Sequence, residues 1–282
     1  MSNTPVITVA ELATMIANGD KIVVGDCRFD PFAPEAGLAA YAQGHIRGAH
    51  YLHLDNDLAG AVGKTGGRHP VPSPEDFTAL MRGIGVDNDS LLVAYDGGGL
   101  ATASRLWWLA RYFGHANVAV LNGGMAAWQA AGQPLDPEPA AAGKGNFTAR
   151  PDQTMRIEYE DLCDPDKRPL LIDARDPSRF AGADEPGGVT AGHIPGSINK
   201  FYQQVIGADG LLLDAEALRA YWCWLEEEEA PVFSCGSGIT ACVNLLSLEM
   251  AGLKVARLYP GSWSDWCQRG GEVATGAHPN QR

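Results

Sequence analysis

Short runs of aliphatic and β-branched residues recur along the chain and alternate with stretches of helical period. Residues 22–24, 91–94 and 118–121 are continuous apolar runs, the pattern of strands buried on both faces. Between them, Ser73-Pro74-Glu75-Asp76 reads as a helix start, and residues 102–113 carry an apolar helical face. Thr8 and Glu11 are spaced as a capping box ahead of a short first helix. Strands that alternate with helices predict an α/β fold, a mainly parallel sheet flanked by helices.

The second half repeats the first. Residues 170–172 run into Asp173-Ala174-Arg175, as residues 22–24 run into Asp26-Cys27-Arg28. Gly192-His193-Ile194-Pro195-Gly196 echoes Gly44-His45-Ile46-Arg47-Gly48, and residues 261–266 echo residues 123–128. Val232-Phe233-Ser234-Cys235 before Gly236-Ser237-Gly238 echoes Val93-Ala94-Tyr95-Asp96 before Gly97-Gly98-Gly99. Landmarks in the same order mark an internal duplication. Residues 134–145, rich in proline, alanine and glycine, are the expected linker. Two similar domains are therefore expected, residues 1–138 and 150–282.

Composition narrows the partners. A length of 282 residues suits two domains, and 45% hydrophobic with 20% charged residues is the mix of a globular chain. Thirty-four acids against 21 Lys and Arg leave a net charge of -13, which argues against nucleic acid or an anionic membrane as the main partner. No run reaches the roughly 20 apolar residues that span a bilayer. The first ten residues lack a basic start and an apolar core, so a cytoplasmic setting is expected. The six cysteines form no C-x-x-C pair, and neither a metal nor another cofactor is expected.

One cysteine stands where chemistry is expected. Cys235 follows an apolar strand and precedes Gly236-Ser237-Gly238-Ile239-Thr240, after which a helix begins with Val243, Leu246 and Met250 on its apolar side. Two nearby glycines let successive amides turn inward as an anion-binding nest, and the helix N-terminus adds its positive end. Both favour a thiolate, so Cys235 is expected to have a depressed pKa. Cys27, Cys223, Cys242 and Cys267 read as small buried hydrophobes, and Cys163 as a surface residue without activation. The position aligned with Cys235 in the first half is Asp96, a carboxylate that cannot carry sulfur.

These residues resemble the tandem rhodanese-domain sulfurtransferases over nearly the whole chain, residues 6–266. The resemblance rests on the paired Asp-x-Arg strand ends, the paired Gly-His-Ile segments and a cysteine loop in the second copy alone. It implies an enzyme that takes a sulfane sulfur from a small-molecule donor onto the cysteine as a persulfide and passes it to a nucleophilic acceptor. Cyanide, a small thiol and a thioredoxin are the acceptor candidates. Cys-Gly-Ser-Gly-x-Thr resembles the loop of members that prefer 3-mercaptopyruvate, whereas Cys-Arg-Lys-Gly-x-Thr marks those that prefer thiosulfate. A loop without a side-chain cation suits a donor whose charge lies on a distant carboxylate.

The resemblance further implies a proton-handling group of Ser237, His69 and Asp55, and substrate binding by Arg179 with Gly236, Gly238, Ile239 and Thr240. A second substrate arginine commonly follows a Glu-Pro pair. Here Asp184-Glu185-Pro186-Gly187-Gly188 supplies none, and Arg68 is the candidate to replace it. Arg28 and Arg175, each beside an aspartate, read instead as structural ion-pair partners. Other functions can be set beside this one. A cysteine phosphatase needs an arginine six residues after its nucleophile, where this chain has Ala241. A thiosulfate sulfurtransferase, or a persulfide carrier that docks a partner without turnover, remains the alternative.

Overall fold

Thr8 and Glu11 close the capping box. The Glu11 amide donates to Thr8 Oγ1 at 3.2 Å, and the Thr8 amide to Glu11 Oε2 at 2.9 Å. The structure, a computed structural model, describes residues 4–183, 190–253 and 256–276. It falls into two compact units. Met1–Gly60, Pro72–Asp152 and Ala208–Leu212 make the first, and Ala61–Val71, Gln153–Gly207 and Leu213–Arg282 make the second.

The first unit runs β1 (Val6–Ile7), α1 (Val9–Asn18), β2 (Ile22–Asp26), α2 (Ala36–Gln43), β3 (Ala49–Tyr51), α3 (Pro74–Gly83), β4 (Leu91–Tyr95), α4 (Ala101–Tyr112), β5 (Val118–Leu121) and α5 (Gly124–Ala130). Its five strands are all parallel, in the order β1-β5-β4-β2-β3. The central strands are buried on both faces, which is why they read as unbroken apolar runs. Ser73 caps α3 by accepting the Asp76 amide at 3.0 Å, with Pro74 in the first turn where its missing N–H costs nothing. Helix α4 departs from the single apolar face read in the sequence, because it is buried almost all round. Arg105 is taken inside with it, its Nε donating to the Leu58 carbonyl at 3.4 Å and its guanidinium lying 5.7 Å from the Trp108 ring centre.

The second unit runs α6 (Tyr159–Leu162), β6 (Leu171–Asp173), α7 (Pro177–Ala181), β7 (Ile198–Asn199), α8 (Ala215–Trp222), β8 (Val232–Ser234), α9 (Ala241–Met250), β9 (Arg257–Leu258) and α10 (Ser262–Gln268). Four parallel strands stand in the order β7-β6-β8-β9. A single parallel bridge between Arg156 and Leu258 sits beside β9, where the first unit has all of β1 beside β5.

The repeated motifs do the same structural work in each unit. Arg28 pairs with buried Asp26 at 2.6 Å and donates to the Gly44 carbonyl at 3.0 Å. Arg175 pairs with Asp173 at 2.7 Å and donates to the Gly192 carbonyl, also at 2.7 Å. Each arginine ties a strand end to its Gly-His segment, as an ion pair rather than a ligand contact. His45 stacks on Tyr41 and His193 on Phe180, both with ring centres 3.8 Å apart. The aromatic clusters are also packing: Trp107, Trp108, Trp222, Trp263 and Trp266 are buried.

The expected linker is not a free tether. Gly143 donates to the Gly83 carbonyl at 2.7 Å and Gly145 to that of Arg82 at 2.9 Å, which binds the strap to the end of α3. A β-carbon on Gly143 would stand 2.1 Å from the Gly85 nitrogen, so the approach requires glycine. Among the described residues, no helix is long and apolar enough to cross a membrane.

Candidate active site

Strand β8 delivers Cys235 to the point where the chain turns into α9, with Thr240 at the helix start. Gly238 makes that turn at φ 77°, and its amide donates to Cys235 Sγ at 3.2 Å. A β-carbon there would lie 2.3 Å from the Pro260 carbonyl oxygen, so both the conformation and the close approach demand glycine.

Helix α10 anchors the backbone around the cysteine. The Cys235 amide donates to Ser262 Oγ at 3.0 Å, and that hydroxyl donates to the Tyr259 carbonyl at 2.8 Å. The amides of Trp263 and Ser264 donate to the carbonyls of Cys235 and Gly236 at 3.0 and 2.9 Å. Ser262 holds this place at φ 52°, a left-handed conformation uncommon for a residue with a side chain.

Burial is the largest influence on the Cys235 thiol, and alone it would raise the pKa. The Thr240 hydroxyl and the amides of Ala241 and Ser237 reverse it, against a further opposing effect from Asp173, and hold the thiol below its ordinary value. Cys27 goes the other way. Burial and the neighbouring Asp26 push it well above the ordinary thiol range.

The second unit also brings several of the expected site residues around this loop. His69 Nδ1 lies 2.7 Å from Ser237 Oγ, and Ser237 is buried. The His69 segment is held by α10: the Gly66 amide donates to Asp265 Oδ1 at 2.7 Å and the Arg68 amide to Ser264 Oγ at 3.1 Å. Arg179, in the last turn of α7, and Arg68 both reach Gly236. Each Nη2 atom lies 3.1 Å from the place a β-carbon on Gly236 would take. The loop itself is neutral, but two guanidinium groups approach it from elsewhere in the sequence. Ile239 is buried, and Thr240 is half-buried.

Asp55 belongs to the first unit, where it is exposed and its amide donates to His53 Nδ1 at 3.1 Å. The cap in that turn is Asp57, which accepts the His53 amide at 2.6 Å. The missing-arginine loop, Asp184 to Gly188, lies outside the described residues.

In the first unit Asp96 occupies its own loop. Its Oδ1 accepts the amides of Gly98 and Leu100 at 2.9 and 3.1 Å, and Oδ2 that of Ala103 at 3.3 Å. Burial raises the pKa of this carboxyl, and those amides partly offset the rise. One expectation about the other cysteines also changes: Cys223 is exposed and Cys267 half-exposed, while Cys27 and Cys242 are buried. Ser262 and Ser264 are not among the residues that the sequence motifs single out. The repeat held the signal, since Gly261-Ser262-Trp263-Ser264 puts hydroxyls where Gly123-Gly124-Met125-Ala126 has none.

Known proteins resemble this chain over most of its length. A Pseudomonas aeruginosa protein with 3-mercaptopyruvate sulfurtransferase in its name is 38% identical over 273 residues, covering 94% of this chain and 96% of its own. A Mycobacterium tuberculosis protein with thiosulfate sulfurtransferase in its name is 37% identical over 265 residues, covering 92% and 93%. The crystal structure of a 3-mercaptopyruvate sulfotransferase from Escherichia coli superposes with a TM-score of 0.80 at 31% identity, over 93% of this chain and 99% of that one. The rhodanese-like domain family matches twice, at residues 8–131 and 157–269. The chain belongs to the rhodanese-like family, as a tandem of two such domains.

Proposed function

We propose that this sulfurtransferase moves sulfur from 3-mercaptopyruvate to a thiol or cyanide acceptor through a persulfide on Cys235, releasing pyruvate. The observation that carries the reading is the Cys235 sulfur, held below its ordinary pKa beside a serine–histidine pair. The Cys235 thiolate attacks the donor sulfur, and the carbon–sulfur bond breaks with its electron pair going to carbon. The proton of the donor thiol passes through Ser237 and His69 to the pyruvate enolate, leaving a persulfide on Cys235. An acceptor thiolate then takes the outer sulfur, and the Cys235 thiolate returns.

Arg179 is assigned the donor carboxylate, and Gly236, Gly238, Ile239 and Thr240 the wall and amides of the pocket. Asp55 is assigned to His69 as its carboxylate partner on the family resemblance alone. In this reading residues 150–282 carry the live copy and residues 1–138 the silent one, the setting is the cytoplasm, and a thioredoxin is among the acceptors.

Two features support thiosulfate as a second donor: the guanidinium pair beside Gly236 and the name of the Mycobacterium relative. The test is a side-by-side rate comparison. The expected kcat/KM for 3-mercaptopyruvate exceeds that for thiosulfate at least about tenfold, or roughly 1.4 kcal/mol of transition-state preference. Equal or faster turnover of thiosulfate overturns the donor and leaves the Cys235 chemistry standing.

A further inference from the structure

We propose that Asp265 is a positioning residue for His69: its buried carboxylate tethers the segment that carries the histidine and so sets the ring against Ser237. The inference deepens the proposed function and rests on its reading of Ser237 and His69 as the proton path. Asp265 lies in α10 and is buried. Its Oδ1 accepts the Gly66 amide at 2.7 Å and Arg269 Nε at 3.1 Å, and its Oδ2 accepts the Tyr259 hydroxyl at 2.7 Å. Donors on both oxygens satisfy a buried carboxylate and leave it little freedom to move. Tyr259 and Arg269 are close in the chain, but Gly66 comes from 199 positions away.

The tether is short. His69 follows three residues after Gly66. A β-carbon on Gly67 would stand 2.4 Å from Ser264 Oγ and 2.5 Å from the Gly261 carbonyl oxygen, so the segment lies directly on the start of α10. Ser264 accepts the Arg68 amide at 3.1 Å, and the next residue places its Nδ1 2.7 Å from Ser237 Oγ. The other side of that contact hangs from the same helix, because the Ser264 amide donates to the Gly236 carbonyl at 2.9 Å. Adjacent residues of α10 therefore fix both members of the serine–histidine pair.

The first unit shows what the carboxylate adds. There the aligned helix, α5, also receives a segment from the other half of the chain, Ala208–Leu212. Asn122 Oδ1 accepts the Leu212 amide at 2.8 Å, and Leu211 Cδ2 lies 2.6 Å from the place a β-carbon on Gly123 would take. An apolar side chain makes that contact, and the position matching Asp265 is Ala127. Packing is enough to seat a segment. The charged tether stands in the copy whose segment carries His69. A carboxylate that accepts a backbone N–H fixes direction as well as place, and a proton transfer within hydrogen-bond reach needs both.

The test uses the full chain. Asp265→Ala is made in a Tyr259→Phe background, so that no buried hydroxyl is stranded, and is compared with Tyr259→Phe alone. It is expected to lower kcat with 3-mercaptopyruvate about tenfold or more. Added to His69→Gln it should lower kcat no further, because it acts through the histidine. The pH midpoint of Cys235 alkylation by iodoacetamide should stay in place, since the amides around the sulfur are untouched. Amide hydrogen exchange needs no donor: at Gly66 and Arg68 it should quicken at least about tenfold. Asp265→Asn keeps an oxygen for Gly66 and should retain most of the rate and the slow exchange. Unchanged exchange in the alanine variant overturns the tether, as does a loss in Asp265→Asn as large as in Asp265→Ala. A shifted alkylation midpoint, or a kcat loss that adds in full to that of His69→Gln, makes Asp265 a support for the nucleophile loop and also overturns it. Quickened exchange, with His69→Gln turning over 3-mercaptopyruvate at the full rate, sinks the proton path and keeps the tether.

Discussion

Gly238 donates its backbone N–H to the sulfur of Cys235 at 3.2 Å, in a turn that a side chain cannot enter. Gly238→Ala is expected to force the loop from its φ of 77° and away from Pro260, and so to withdraw that donor. With less support for the anion, the thiol pKa should rise, and the thiolate fraction at neutral pH should fall. The pH dependence of iodoacetamide alkylation reads this directly. Its midpoint should lie below the ordinary thiol value of 9.0 in the unsubstituted protein and move upward in the variant. A midpoint that stays in place shows that the amide does not tune the thiol.

Cys235→Ser is expected to abolish sulfur transfer, since no other described cysteine has the same amide surroundings. Cys163→Ser and Cys267→Ser should keep most of the activity. Mass spectrometry after donor treatment should find the 32 Da sulfur adduct, about one atom per chain, on Cys235 alone. Turnover retained in Cys235→Ser would end the persulfide mechanism.

Ser237 and His69, 2.7 Å apart, are expected to matter for one donor more than the other. Ser237→Ala and His69→Gln should each lower kcat with 3-mercaptopyruvate by about 10²-fold, the usual scale of a lost proton-transfer group. Thiosulfate releases sulfite and has no enolate to protonate, so its rate should fall much less. An equal loss with both donors would make the pair a support for the loop rather than a proton path.

Asp96→Ala is expected to destabilise the protein by about 3 kcal/mol in urea unfolding, because it strips an acceptor from three amides in a buried loop. Asp96→Asn keeps one oxygen for Gly98 and Leu100 and should recover much of that. The two also differ in pH dependence. Burial raises the Asp96 pKa, so its ionised form costs stability, a cost absent below the ordinary value of 3.8 and growing as pH rises through the folded value. The unsubstituted protein should therefore gain on Asp96→Asn as pH falls from 7 towards 4. A constant difference between the two would mean that the carboxyl titrates normally.

Much of this site is local in sequence and so could be read there. The nucleophile, the glycines that form its amide cradle and the helix that follows are contiguous from Cys235 to Ala241. The strand ends were legible because the Asp-x-Arg ion pairs close within two residues. What stayed hidden was assembled across distance. Arg68 is a candidate by residue type alone, and that it reaches Gly236 from 168 positions away in the chain depends on the fold. Burial was equally hard to read: α4 carries Arg105, a charged residue, yet the helix is buried almost all round and Arg105 with it. The linker composition was visible, but its hydrogen bonds to Gly83 and Arg82 depend on backbone groups that every residue has.

Ser262 is where the two copies of the domain part company in what they spend on rigidity. Its counterpart, Gly124, adopts the same hand of backbone at φ 55° without penalty, as only glycine can. The second copy keeps a side chain against that preference, and its hydroxyl bolts the Cys235 amide to the Tyr259 carbonyl. A strained residue of this kind costs on the order of 1 kcal/mol of fold stability. Selection for heat resistance alone would favour glycine at this position and loosen the nucleophile as it did so. Thermal hardiness and aim are in competition at a single residue, and the duplicated fold has resolved that contest differently in its two halves.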